Sequence, residues 1–105
     1  MDGPDEIIHQ STRLRIAATL NALAQGEMLE FGRLKAILGA TDGNMGTHLT
    51  ALEKAGYIEV VKDFVGKKPR TRVALSAQGR AAFARHVAYL RALILEPPPT
   101  TAIQR

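Results

Sequence analysis

The sequence predicts a mainly helical α+β domain: three helices, a small β-hairpin and a long last helix. Two observations carry this prediction. Apolar residues recur at helical spacing as far as Ala55. The period then drops to two over Tyr57–Lys62 and again over Thr71–Leu75, around a loop broken by Gly66 and Pro69, before helical spacing resumes after Ser76. A chain of 105 residues, 46% apolar, suits one domain with a small core.

Ser11 or Thr12 can cap the first helix, which is expected to reach Ala24 or Gln25 with Ile16, Leu20 and Leu23 inward and Gly26 as its stop. Met28–Glu30 is short and extended in character. A second helix over Phe31–Leu38 carries Leu34, Ile37 and Leu38 inward, and Gly39 suits its left-handed end. Thr41 or Asp42 can cap a third helix running to Ala55 and stopped by Gly56. In the hairpin, Ile58, Val60, Val73 and Leu75 are expected inside, and Phe64–Pro69 is expected as the loop. Ser76 can cap a last helix to Leu95 with the stripe Phe83, Val87, Leu90 and Ile94, stopped by Pro97–Pro99. The expected organisation is an N-terminal arm or helical turn over 1–10, one domain over 11–95 with its last helix at 76–95, and a disordered tail over 96–105.

Charge is concentrated. Between Lys62 and Arg72 stand Lys62, Lys67, Lys68, Arg70 and Arg72 against Asp63 alone, which accounts for the whole net charge of +4. An excess confined to one short segment suits a polyanion better than general solubilisation. The sequence has no cysteine, which removes disulfides, thiolate metal sites and cysteine nucleophiles. The polar, acidic start does not read as a secretory signal, and no apolar run approaches the roughly 18 residues of a membrane span. The expectation is a cytoplasmic protein.

The order of elements and the runs F31-G-R-L, T41-D-G-N-M-G-T-H-L-T-A-L-E-K-A-G-Y-I, G66-K-K-P-R-T-R-V-A-L-S and G79-R together resemble small stand-alone winged helix-turn-helix transcriptional regulators of the MarR/ArsR-like kind. The resemblance spans about Arg13 to Phe83. It implies the order α-α-α-β-β-α, sequence-specific binding of double-stranded DNA, and a two-fold dimer. Such a dimer sets two recognition helices about one DNA turn, roughly 34 Å, apart.

On a helical wheel, Met45, Leu49 and Leu52 share one narrow sector, which must face the core. Gly43, Thr47, Thr50 and Lys54 lie opposite, with Asn44 at one edge and Asp42 at the start. This face is small and polar, as a helix entering the major groove requires. Asn44 and Thr47 are the candidates for base edges, and Thr50 and Lys54 for phosphates. His48 sits beside the core sector and reads either as a half-buried structural residue or as a DNA contact. Gly46 reads either as room for DNA or as close packing on the second helix. The resemblance matches Lys67, Lys68, Arg70 and Arg72 to a wing, over about 63–70, that lies on the DNA backbone or in the minor groove.

The last helix carries Tyr89, Leu93 and Leu95 beyond its inward stripe, more apolar surface than one small domain needs. Ile7, Ile8 and Leu14 can supply the other half of a homodimer interface. An enzyme is not indicated. His9, His48 and His86 have no partner at metal-binding spacing, the glycines lack phosphate-loop spacing, and no cofactor or metal is expected. Any small-molecule effector is left unidentified. The alternative function is a winged helix that contacts protein or RNA. For RNA, only Tyr57 and Phe64 near the hairpin offer rings for stacking, and Phe64 is equally placed to close the hairpin base.

Overall fold

The computed structural model describes residues 3–97. Seven elements follow in order: α1 (Ser11–Asn21), β1 (Leu29–Glu30), α2 (Phe31–Leu38), α3 (Asp42–Lys54), β2 (Ile58–Val65), β3 (Lys68–Leu75) and α4 (Ala77–Leu95). The expected α+β winged-helix order holds, with a third strand added. β1 pairs antiparallel with β3 through Leu29↔Val73 and Glu30↔Arg72, giving the sheet order β1-β3-β2. From residue 98 onward, the tail expected to be disordered lies outside the described residues.

Helix ends follow local chemistry. Gln10, not Ser11 or Thr12, caps α1: its side-chain oxygen accepts from the Arg13 amide at 3.0 Å. α1 also ends at Asn21, short of the expected Ala24, because Ala22 and Leu23 tighten into i→i+3 bonds. Gly39 leaves α2 with φ of +64°, and the Thr41 hydroxyl caps α3 by accepting from the Asn44 amide at 3.2 Å. Lys35 pairs with Asp42 across this turn, tying α2 to the first turn of α3.

The core gathers Ile8, Ile16, Leu20, Leu34, Met45, Leu52, Ile58, Val73, Leu75 and Ala82. Ile8, expected at a dimer interface, is 0% exposed within the single chain. The arm before α1 folds back because the Asp5 carboxylate accepts from the Ile7 and Ile8 amides, which turns Ile8 inward. Ile7 and Leu14 are half-buried against the same core. Ile37, expected inward, is half exposed, because Leu34 and Leu38 take the buried positions of α2, with Phe31 packed beside them on the core.

α4 is rotated relative to the expected stripe. Its buried residues are Gly79, Ala82 and His86, while Phe83, Val87 and Leu90 are half-buried and Ile94 is 75% exposed. The rotation is set at the start of the helix. A Cβ at Gly79 would lie 2.0 Å from the Tyr57 carbonyl oxygen. That carbonyl accepts from the Ser76 amide, and the Ser76 hydroxyl donates to Gly56 O at 2.6 Å. The missing side chain at Gly79 lets the start of α4 approach Tyr57 this closely.

Candidate nucleic-acid interface

The third helix and the hairpin stand side by side. On α3, Met45, Leu49 and Leu52 are buried as the wheel requires, while Asp42, Gly43, Asn44, Thr47, Thr50 and Lys54 are all exposed. The Thr47 hydroxyl donates back to Gly43 O at 3.0 Å, which leaves the lone pairs of this exposed residue free to accept. A Cβ at Gly43 or Gly46 would meet nothing within 4 Å. Close packing on the second helix therefore does not account for Gly46.

His48 takes a structural position. Its Nδ1 accepts from Arg13 Nε at 3.1 Å, joining α3 to α1. Desolvation, then the Arg13 charge, hold its pKa below the ordinary value, which favours the neutral ring that accepting at Nδ1 requires.

The hairpin is longer than expected. β2 and β3 pair from Ile58↔Leu75 to Val65↔Lys68, leaving a two-residue turn at Gly66–Lys67 in place of a loop over Phe64–Pro69. Gly66 has φ of +63°, which the first position of such a turn requires. Pro69 lies inside β3 opposite Phe64, one pair from the turn. In a two-residue hairpin that pair exchanges no backbone bonds, so proline's missing N–H faces the open edge beyond the reach of β1.

The register divides the wing's side chains between two faces. Ile58, Val60, Lys62 and Phe64 share one face with Leu75, Val73, Thr71 and Pro69. This face turns toward α3: Val60, Lys62 and Thr71 line a cleft of about 270 Å³ with Gly46, Leu49, Thr50 and Glu53 of α3 and with Phe31. The opposite face carries Asp63, Arg70 and Arg72. Arg70 makes a two-pronged contact with Asp63 at 2.9 and 2.8 Å, and Arg72 donates to the same carboxylate at 3.0 Å. Bonding to Arg70, then the charges of both arginines, hold the Asp63 pKa down at about 2 against partial desolvation. Of the four predicted wing cations, Lys67 and Lys68 are exposed at the tip, whereas Arg70 and Arg72 are engaged by Asp63 away from α3.

Lys62 and Thr71 were not among the predicted site residues. The alternation that places Ile58 and Val60 inside also puts Lys62, the last residue of that run, on the same side. Phe64 does not close the hairpin base. It stands near the tip and is 69% exposed.

At the far end of the molecule Leu93, Ile94 and Leu95 of α4 are exposed, and Tyr89 is half-buried with its ring stacked 6.1 Å from that of His86. His86 itself is 1% exposed. Its Nδ1 accepts from the Asp5 amide at 3.1 Å, and Asp5 accepts from the Tyr57 hydroxyl at 2.7 Å. No group of three or more His, Asp or Glu able to hold a metal occurs among the described residues. None of their helices is long and apolar enough to cross a membrane.

These elements define a winged helix. Residues 12–94 match the family described as winged helix DNA-binding domain, and the chain belongs to that family. It is 34% identical over 82 residues to an uncharacterized protein of Methanocaldococcus jannaschii, covering 78% of this chain and 86% of that one. The structure resembles a transcriptional regulator homologue from Pyrococcus horikoshii, with a TM-score of 0.76, 27% identity and 86% of both chains covered. A more distant likeness, of fold alone, is to Streptococcus pneumoniae FabT, solved in complex with DNA. There the TM-score is 0.56 and the identity 22%, over 86% of this chain and 64% of that one.

Proposed function

We propose that this protein is a sequence-specific regulator of transcription that binds double-stranded DNA as a homodimer. The observation that carries the reading is the exposed face of α3. It presents Asn44, Thr47, Thr50 and Lys54 with two glycines at which a Cβ would meet nothing within 4 Å among the described residues, beside a hairpin tipped by Lys67 and Lys68. α3 enters the major groove, where Asn44 pairs with an adenine and Thr47 meets a neighbouring base edge or methyl group. Thr50 and Lys54 hold phosphates, and the wing follows the backbone into the minor groove. His48 acts by bracing α3 against Arg13. The apolar end of α4, from Tyr89 to Leu95, packs against a second copy, as a regulator reading two half-sites requires.

Fluorescence anisotropy with duplexes of random and selected sequence tests this. The protein is expected to bind duplex DNA with steep salt dependence. Lys67→Ala with Lys68→Ala weakens all sequences alike, and Thr47→Ala relaxes preference at particular base pairs. Absence of binding to any duplex at low salt overturns the reading.

A further inference from the structure

The wing tip combines two chemistries on its α3 side. Phe64 projects from the same sheet face as Lys62 and Thr71, which line the cleft beside α3, and its ring is 69% exposed. Pro69 lies directly opposite it and is also exposed, so two rings form an apolar tip. Lys62 stands two residues before Phe64 on that face, and Lys67 stands in the turn beyond it, both exposed. The wing's two arginines are on the other face, held by Asp63. Among the described residues nothing covers most of Phe64, and an aromatic ring left in water adds little stability to a hairpin tip.

Resting on the DNA-binding reading above, we propose that Phe64 and Pro69 form an apolar wedge that enters the minor groove, with Lys62 and Lys67 on the flanking phosphates. The minor groove fits this arrangement. Its walls are deoxyribose C–H surface, its rims are anionic, and a phenyl ring can pry open a base step there. On this assignment the wing reads DNA by how readily a step unstacks, in place of an arginine seeking negative potential.

Salt dependence separates the wedge from ordinary phosphate contacts. Each cation bound to a phosphate adds about 0.9 to the slope of log affinity against log salt, whereas a neutral ring adds none. Phe64→Ala is expected to lower duplex affinity about tenfold at every salt concentration with an unchanged slope. Phe64→Leu, still apolar, is expected to recover part of the loss. Lys67→Ala is expected to reduce the slope by about 0.9. A 2-aminopurine placed at the step under the wing brightens when the wild type binds and stays dark with Phe64→Ala.

Circular dichroism is expected to show that the exposed substitutions leave the fold intact. The wedge is overturned if Phe64→Ala binds like the wild type, or if it reduces the salt slope as Lys67→Ala does. It is also overturned if the variant changes only the sedimentation coefficient, or if single-stranded RNA displaces duplex through Phe64. Wild-type protein that binds no duplex at all marks instead the failure of the underlying DNA-binding reading.

Discussion

α3 and α4 each carry a glycine near their start, Gly46 and Gly79, and each leave one face uncovered, yet for opposite reasons. Gly79 of α4 is required from within, since a Cβ there would strike the Tyr57 carbonyl oxygen at 2.0 Å. Gly46 of α3, half-buried at the cleft beside the hairpin, has room for a Cβ, with nothing within 4 Å of the same position. The uncovered face of α3 is small and polar, whereas that of α4 ends in Leu93, Ile94 and Leu95. A glycine held by internal packing marks structure. A glycine facing open space on a polar face leaves room for an outside partner to approach the backbone. On the function proposed above, the two helices take different partners, DNA for α3 and a second copy of the chain for α4.

The largest expected effect comes from breaking the α4 side. Leu93→Glu with Ile94→Glu leaves the protomer folded, because both side chains are exposed in it, and turns the dimer into monomer on sedimentation. Affinity for a two-half-site duplex falls a hundredfold or more, on the order expected when linked binding is lost. An unchanged sedimentation coefficient would remove the dimer from the account.

Next comes the glycine pair. Gly79→Ala overpacks the junction of α4 with Tyr57 and costs about 1–3 kcal/mol of stability or more by urea unfolding. Gly46→Ala does the reverse. It stabilises α3 by about 1 kcal/mol, since alanine is the better helix former, and lowers DNA affinity by narrowing the approach to the backbone. Equal destabilisation by the two substitutions contradicts the distinction drawn between the helices.

Asn44→Ala acts on α3 alone. It reduces discrimination at one base pair by about 1–3 kcal/mol in a panel of single-mismatch duplexes, with little change on random DNA.

The smallest effect is on pH dependence and lies under α4. Burial, then the charge of His9, hold His86 below its ordinary pKa, with Asp5 pulling the other way. The native imidazole therefore resists a proton that the unfolded chain accepts. Stability contributed by neutral His86 is complete above the unfolded value of 6.5 and declines as pH falls below it toward the folded pKa. His48, lowered by burial and Arg13, acts with the same sign. Thermal unfolding followed from pH 7 to 5 is expected to show this decline. It shrinks in His86→Gln, whose carboxamide oxygen can still accept from the Asp5 amide.

The parts of the molecule legible in the sequence are those set by local chemistry. The bounds of α2, the Thr41 and Ser76 caps, the left-handed Gly39 and the buried triplet of α3 all follow from residues within a few positions of one another. What the sequence concealed depends on long-range contact. The face α4 turns inward is chosen by Tyr57, some twenty residues earlier, so periodicity alone favoured the larger apolar stripe through Phe83 and Ile94. Ile8 looked like spare apolar surface until Asp5 folded its arm back. The polar face of α3 was legible because helical geometry fixes it. The division of the wing was not, because β register had to be known through the turn before Arg70 and Arg72 could be assigned to Asp63 and Phe64 to the α3 side.

Selection of binding sites from a pool of random duplexes, with sequencing of the retained DNA, tests the central claim most directly. It reads base preference and half-site spacing together. The account predicts enrichment of a pseudo-palindrome whose half-sites lie about one helical turn apart, lost with Asn44→Ala at defined positions and lost altogether with Leu93→Glu and Ile94→Glu. Retention of no sequence above background at low salt, with the wild-type protein folded, would contradict it.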